Sequence, residues 1–116
     1  MSITPRRILV VDDEPEVCQL LQMMLRNDGH EVMAAPGGKE ALTKMEAGIF
    51  DLVLTDYYMP DMRGDELART IKTAHAQVYI VLFSGAPPPV RPEQIDLMLC
   101  KPGSVRELRR AIATCP

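Results

Sequence analysis

The sequence predicts an α/β domain built on a parallel sheet, and three observations carry that expectation. Five short apolar runs are separated, with one exception, by stretches in which apolar residues recur every three or four positions. Such alternation is the mark of βαβ units. The runs at residues 8–11, 52–54 and 78–83 are continuous instead of alternating, which suits strands covered on both faces. Most runs end in a charged or turn-forming residue: Asp12, Asp56, Ser84 and Lys101. A parallel sheet brings those ends to one edge.

Arg6-Arg7 precede the first strand, residues 8–11, and Asp12-Asp13-Glu14 follows it. Pro15 suits a first helical turn, where its missing N–H is not needed. Val17, Leu20, Leu21, Met24 and Leu25 then mark one helical face laid on the sheet, and Asp28-Gly29 stops that helix. Residues 31–35 make a weaker second strand, broken by Pro36-Gly37-Gly38. A short helix over 39–47, with Ala41, Leu42 and Met45 inward, ends at Gly48. The third strand is 51–55, and the loop from Asp56 to Arg63 contains Pro60. Gly64 leads into a helix with Leu67, Ala68 and Ile71 inward. The fourth strand, 78–83, ends at Ser84-Gly85-Ala86. Pro87-Pro88-Pro89 and Pro92 then forbid a helix interior, leaving at most one turn over 92–95. The fifth strand, 96–100, ends at Lys101-Pro102-Gly103. Ser104-Val105-Arg106-Glu107 has capping-box spacing and opens a last helix with Val105, Leu108, Ala111, Ile112 and Cys115 inward.

Right-handed crossovers between such units give a flavodoxin-like doubly wound sheet of five parallel strands in the order 2-1-3-4-5. Its fourth helix, between strands 4 and 5, is short or missing. Ligands of this fold bind beyond the strand ends where the order reverses, between strands 1 and 3. Asp12-Asp13 and Asp56 stand there.

The 116 residues fit one domain over 1–116. With 47% hydrophobic residues, that length buries a core without disulfides or metals. A net charge of −3 gives no reason to expect direct nucleic-acid binding. Cys18, Cys100 and Cys115 are odd in number and lack metal-ligand spacing, so they read as reduced core thiols. The N-terminal apolar run is too short for a signal segment, and no stretch approaches a membrane span. A soluble cytoplasmic protein is expected. His30 and His75, at helix ends, read as surface residues, and the eight methionines as mostly core filling. Arg106, Arg109 and Arg110 form a basic patch, read as a solvated face before a docking site.

Three carboxylates at one sheet edge repel one another, and a hard divalent cation relieves the conflict. An all-oxygen donor set suits Mg2+. Asp13 and Asp56 are the expected direct ligands, Asp12 acts through water, and the Tyr58 carbonyl adds a further oxygen. Asp56 can also attack phosphorus as a carboxylate nucleophile, for which no general base is needed at neutral pH. Lys101 would neutralise charge on the transferring oxygens, and the Ser84 hydroxyl would hydrogen-bond one of them. Taken singly, Asp12-Asp13 reads as well as a helix cap, and Asp56 or Ser84 as a turn residue. Their convergence with Lys101 favours a phosphate-accepting pocket.

The acidic pair Asp12-Asp13, the segment Asp56-x-x-Met59-Pro60-x-Met62-x-Gly64, Ser84-Gly85-Ala86 and Lys101-Pro102, in this order, resemble the receiver domain of two-component response regulators, in its chemotaxis-regulator-like single-domain form. The resemblance covers nearly the whole chain. It implies phosphotransfer onto Asp56 from a histidine kinase or a phosphotransfer protein, Mg2+ as cofactor, and a cis peptide before Pro102. It also implies a two-state switch of a protein-interaction surface through Ser84 and the position held by Met98. Two features depart from the family: Met98 replaces the usual Tyr or Phe, and the span from Ser84 to Lys101 is short and proline-laden. Phosphorylation is therefore expected to change the 84–98 loop more than it rotates residue 98.

Other readings stay open. A pseudo-receiver would bind its partner without phosphorylation. A phosphohydrolase of the haloacid dehalogenase type needs an acid/base Asp two residues after the nucleophile, where Tyr58 stands. The receiver reading makes the chain no enzyme beyond promoting its own phosphorylation and dephosphorylation. The downstream partner is open, as is whether the domain stands alone or is cut from a larger regulator. A monomer is favoured because the helix flanking the usual dimer face is reduced.

Overall fold

Strands and helices alternate along the chain in the computed structural model, which describes residues 4–116. They run β1 (Arg7–Val11), α1 (Pro15–Asn27), β2 (Glu31–Ala35), α2 (Gly38–Ala47), β3 (Leu52–Thr55), α3 (Gly64–Ala74), β4 (Tyr79–Ser84), β5 (Leu97–Cys100) and α4 (Val105–Ala113). The sheet is parallel throughout, in the order β2-β1-β3-β4-β5. The expected architecture and order hold.

Strand side chains alternate between two cores. Leu9, Val11, Val53, Ile80 and Leu82 pack with Ala41 and Met45 of α2 and Leu67, Ala68 and Ile71 of α3. Ile8, Val10, Leu52, Leu54 and Val81 pack with Cys18, Leu21 and Leu25 of α1 and Leu108, Ala111 and Ile112 of α4. Helices therefore cover both faces. Ile8, Leu9 and Val10 are completely buried, each contributing about 2 kcal/mol of burial. Register then aligns the strand ends. Val11 lies opposite both Ala35 and Thr55, Thr55 opposite Leu82, and Ser84 opposite Cys100. Asp12, Asp56, Gly85 and Lys101 each follow one of these ends.

Between β4 and β5 no helix forms, in line with the expectation that the fourth helix is short or missing. One turn remains, closed by the Ile95 N–H donating to the Pro92 carbonyl at 3.1 Å. Ile95 is fully buried and plugs the core beside α3. Asp96 secures the end of the loop: its carboxylate accepts from the Ile80 N–H at 2.8 Å and from Lys72 Nζ at 2.9 Å. The Arg91 guanidinium also donates to the Ile95 carbonyl. Leu97, Met98 and Leu99 are only half-buried.

Several side chains depart from expectation. Leu20 is 63% exposed, because the buried stripe of α1 centres on Cys18, Leu21 and Leu25 and leaves Leu20 beyond its edge. Val105, at the first helical position of α4, is exposed, and the buried run begins one turn later at Leu108. Cys100 is exposed at the end of the edge strand, whereas Cys18 and Cys115 are buried. His30 is buried, its Nδ1 accepting the Arg6 N–H at 2.9 Å. Met45 and Met59 fill core, but Met23 and Met33 are exposed. The capping residue holds: Ser104 Oγ accepts from the Glu107 N–H at 3.0 Å. Among the described residues no helix is long and apolar enough to cross a membrane.

Candidate functional site

The acidic residues owe their places to the sheet. Asp12 follows β1, and its N–H donates to the Ala35 carbonyl at 3.2 Å, extending the ladder one step. Asp56 follows β3 in the same way, its N–H donating to the Val11 carbonyl at 3.0 Å. One carboxylate oxygen from each of Asp12, Asp13 and Asp56 lies within 4.8 Å of the others. Three carboxylates so close form an all-oxygen donor set that fits a small hard dication such as Mg2+.

Lys101 supplies the positive charge. Its Nζ donates to Asp12 Oδ2 at 2.7 Å and to Asp56 Oδ2 at 3.4 Å. The Lys101 N–H donates to the Ser84 carbonyl at 2.8 Å, which fixes the stem. The Lys101–Pro102 peptide is cis, as expected. Burial alone would depress the Lys101 pKa, but the bond and charge of Asp12, then of Asp56, outweigh it and hold the ammonium above the ordinary lysine value. The second oxygens of both carboxylates are also bound. Asp12 Oδ1 accepts the Glu14 N–H at 2.9 Å, and Asp56 Oδ1 accepts the Tyr57 N–H at 2.7 Å. Asp12 does not cap α1, which has no side-chain cap. Asp13 is exposed and unengaged among the described contacts, free to turn towards a cation.

The remaining candidates surround this group. Ser84 is buried, and its Oγ accepts from the Ala86 N–H at 3.2 Å, so its hydroxyl hydrogen remains available. Tyr58 is 59% exposed on the loop after Asp56, edge-on to the buried Tyr57 ring at 4.7 Å. Met98 is half-buried against the core on the α2–α3 face, opposite Leu82. Arg109 is no free basic group: it pairs with both oxygens of Asp28 at 2.8 and 2.9 Å, tying α4 to the end of α1.

Two residues were not singled out by their sequence pattern. Cys18 donates its thiol to the Asp12 carbonyl at 3.2 Å, and burial followed by the Asp12 charge pushes its pKa up, keeping it a thiol. Asp61 accepts from the Gly38 and Lys39 N–H groups at 3.1 and 2.9 Å, across 22 or more residues of chain. No local signal announces such a cap. The nearest hint is Pro60 in one loop and Gly37-Gly38 in the other.

A family model for the response regulator receiver domain matches residues 8–113. The chain is 40% identical over 77 residues to the transcriptional regulatory protein ZraR of Klebsiella oxytoca, covering 66% of this chain and 17% of that protein. It is 32% identical over 99 residues to the DNA-binding response regulator MtrA of Mycolicibacterium smegmatis, covering 85% of this chain and 41% of that one. The chain thus spans less than half the length of these relatives. Among solved structures, the response regulator TrrA of Thermotoga maritima, in complex with Mg2+-BeF, matches with a TM-score of 0.88 at 32% identity over 96% of this chain and 99% of that one. TrrA in complex with the histidine kinase ThkA matches with a TM-score of 0.83 at 34% identity, covering 92% and 95%.

Proposed function

Because the chain belongs to the response regulator receiver family, we propose that it accepts a phosphoryl group onto Asp56 and passes the signal on through a protein-interaction surface. The observation that carries this reading is the convergence of Asp12, Asp13 and Asp56 around Lys101 at one sheet edge. Asp56 is the nucleophile: an Oδ atom forms the bond to phosphorus while the bond to the donor nitrogen breaks. Its carboxylate is held in place by the Tyr57 N–H. Lys101 shifts from bridging two carboxylates to balancing the phosphoryl oxygens. Ser84 donates its hydroxyl to one of those oxygens and leaves its contact with Ala86. Asp13, Asp56 and the Tyr58 carbonyl would hold Mg2+, with Asp12 acting through water. Bound Mg2+ supplies charge neutralisation for the incoming group. The crystallisation of TrrA with Mg2+-BeF supports the cofactor, and its complex with a kinase supports a phosphohistidine donor.

The chain acts in the cytoplasm, as a monomer without direct nucleic-acid contact, and catalyses only its own phosphorylation and dephosphorylation. The test is intact mass after incubation with Mg2+ and acetyl phosphate, beside Asp56→Asn. One phosphoryl on the wild type alone supports the reading. One on both variants moves the acceptor elsewhere. None on either, from acetyl phosphate or a phosphohistidine carrier, favours the pseudo-receiver, which the missing helix before β5 recommends as the second reading.

A further inference from the structure

The loop that follows Asp56 is clamped at two points. At its base the Gly64 N–H donates to the Tyr57 carbonyl at 2.6 Å. A Cβ at Gly64 would stand 2.4 Å from the Asp56 carbonyl oxygen, so only glycine permits this approach. At its tip the Asp61 carboxylate takes the Gly38 and Lys39 N–H groups, the first free donors of α2. Gly37, the N-cap residue, has no side chain to do so. A side chain on the facing turn would displace this clamp. A Cβ on Gly37 would stand 2.9 Å from Asp61 Oδ1, and one on Gly38 would stand 2.3 Å from Met62 Cγ.

These contacts make the turn before α2 a common anchor for the pocket. On one side Ala35 holds the backbone of Asp12 at 3.2 Å. On the other, Asp61 holds the loop that begins at Asp56. Tyr58, Met59 and Pro60 span the two clamps, and Met59 is buried in the core. The Lys39 N–H chiefly, with that of Gly38, also keeps the Asp61 carboxyl below the usual carboxylate range, so the tip clamp stays ionised in mild acid.

We propose that Asp61 is a positioning residue for the cation site: by pinning the loop tip to the first turn of α2, it fixes where the Tyr58 carbonyl stands and so sets Mg2+ affinity without touching the ion. The inference rests on the reading of Tyr58 as a carbonyl ligand. A cap that served α2 alone would change stability and leave the ion unaffected.

Mg2+ titrations of the full chain separate the two, followed by tyrosine fluorescence, since the chain has no Trp and two of its three tyrosines, Tyr57 and Tyr58, follow Asp56. Wild type, Asp61→Ala, Asp61→Asn and Ser104→Ala are compared, each with urea unfolding in EDTA. Ser104→Ala removes the cap of α4 and controls for lost stability. In Asp61→Ala the Kd should rise about tenfold, the low end for a group that orients a metal ligand. Asp61→Asn keeps one acceptor oxygen and should show a smaller rise. Ser104→Ala should lose stability at an unchanged Kd. A wild-type Kd in both Asp61 variants overturns the proposal, as does an equal rise in Ser104→Ala. Should the wild type bind no Mg2+, the site reading falls and this inference with it. Should the wild type bind Mg2+ and accept phosphoryl while Asp61→Ala binds equally well, only this inference falls.

Discussion

Replacing Lys101 by Met should have opposite effects on stability and on cation binding. The Lys101 side chain is 18% exposed and its partner Asp12 is 3% exposed, so the pair is largely shielded from solvent. Removing the ammonium leaves Asp12 with only the Glu14 N–H and Asp56 with only the Tyr57 N–H. Breaking a buried pair from one side costs about 3–5 kcal/mol. The surviving N–H bonds place this case at the low end, about 3 kcal/mol, or roughly 12 °C in Tm for a chain this size. The same deletion frees negative charge for a cation. A unit-charge pair about 4 Å apart is worth about 4 kcal/mol at an effective dielectric near 20. Even a third of that tightens Mg2+ about tenfold. Urea unfolding in EDTA reads the first effect, and Mg2+ titration by tyrosine fluorescence the second. Phosphoryl uptake should fall despite the tighter Mg2+. A Lys101→Met protein as stable as wild type, with unchanged or weaker Mg2+ binding, would refute the claim that Lys101 balances the acid cluster.

Further perturbations probe other parts of the account. Gly64→Ala should lose about 3 kcal/mol or more, because its Cβ collides with the Asp56 carbonyl; chemical denaturation checks this, and a loss under 1 kcal/mol would contradict it. His30 is buried with Nδ1 accepting a backbone N–H, and burial lowers its pKa below the ordinary 6.5. The unfolded chain then takes up the proton first. Its contribution is complete above about pH 6.5 and is lost as pH falls from there towards the folded value. Unfolding at pH 7.5 and 5.5 should show a larger drop for wild type than for His30→Gln. Tyr58→Ala should speed dephosphorylation several-fold if the exposed ring hinders water at the acyl phosphate; phosphoryl decay followed by mass measures it, and an unchanged rate contradicts it.

The parts legible in the sequence were those set by short-range pattern. Continuous apolar runs named the strands, and the residue closing a run named the pocket, as with Asp12, Asp56 and Lys101. The triple proline announced the missing helix before β5. Less legible were features fixed by neighbours distant along the chain. Periodicity marked an apolar stripe on α1 but not its centre, so Leu20 was placed inward while Cys18 held the middle. His30 is buried because the entry to β1 crosses it, which nothing near residue 30 reveals. Cys100 is exposed because it closes an edge strand and no helix stands between β4 and β5 to cover it. Asp61 looked like one more polar loop residue, since its partners begin a helix more than twenty residues earlier.

The most direct test of the central claim is chemical. Wild-type protein incubated with Mg2+ and a phosphohistidine donor is treated with borohydride, which reduces an acyl phosphate but spares a free carboxylate. The reduced residue is then located by peptide mass. Homoserine at position 56 alone, absent without Mg2+ and absent in Asp56→Asn, is the predicted result. Homoserine at position 12 or 13, or an unreduced chain that nevertheless carries phosphate, would contradict Asp56 as the acceptor.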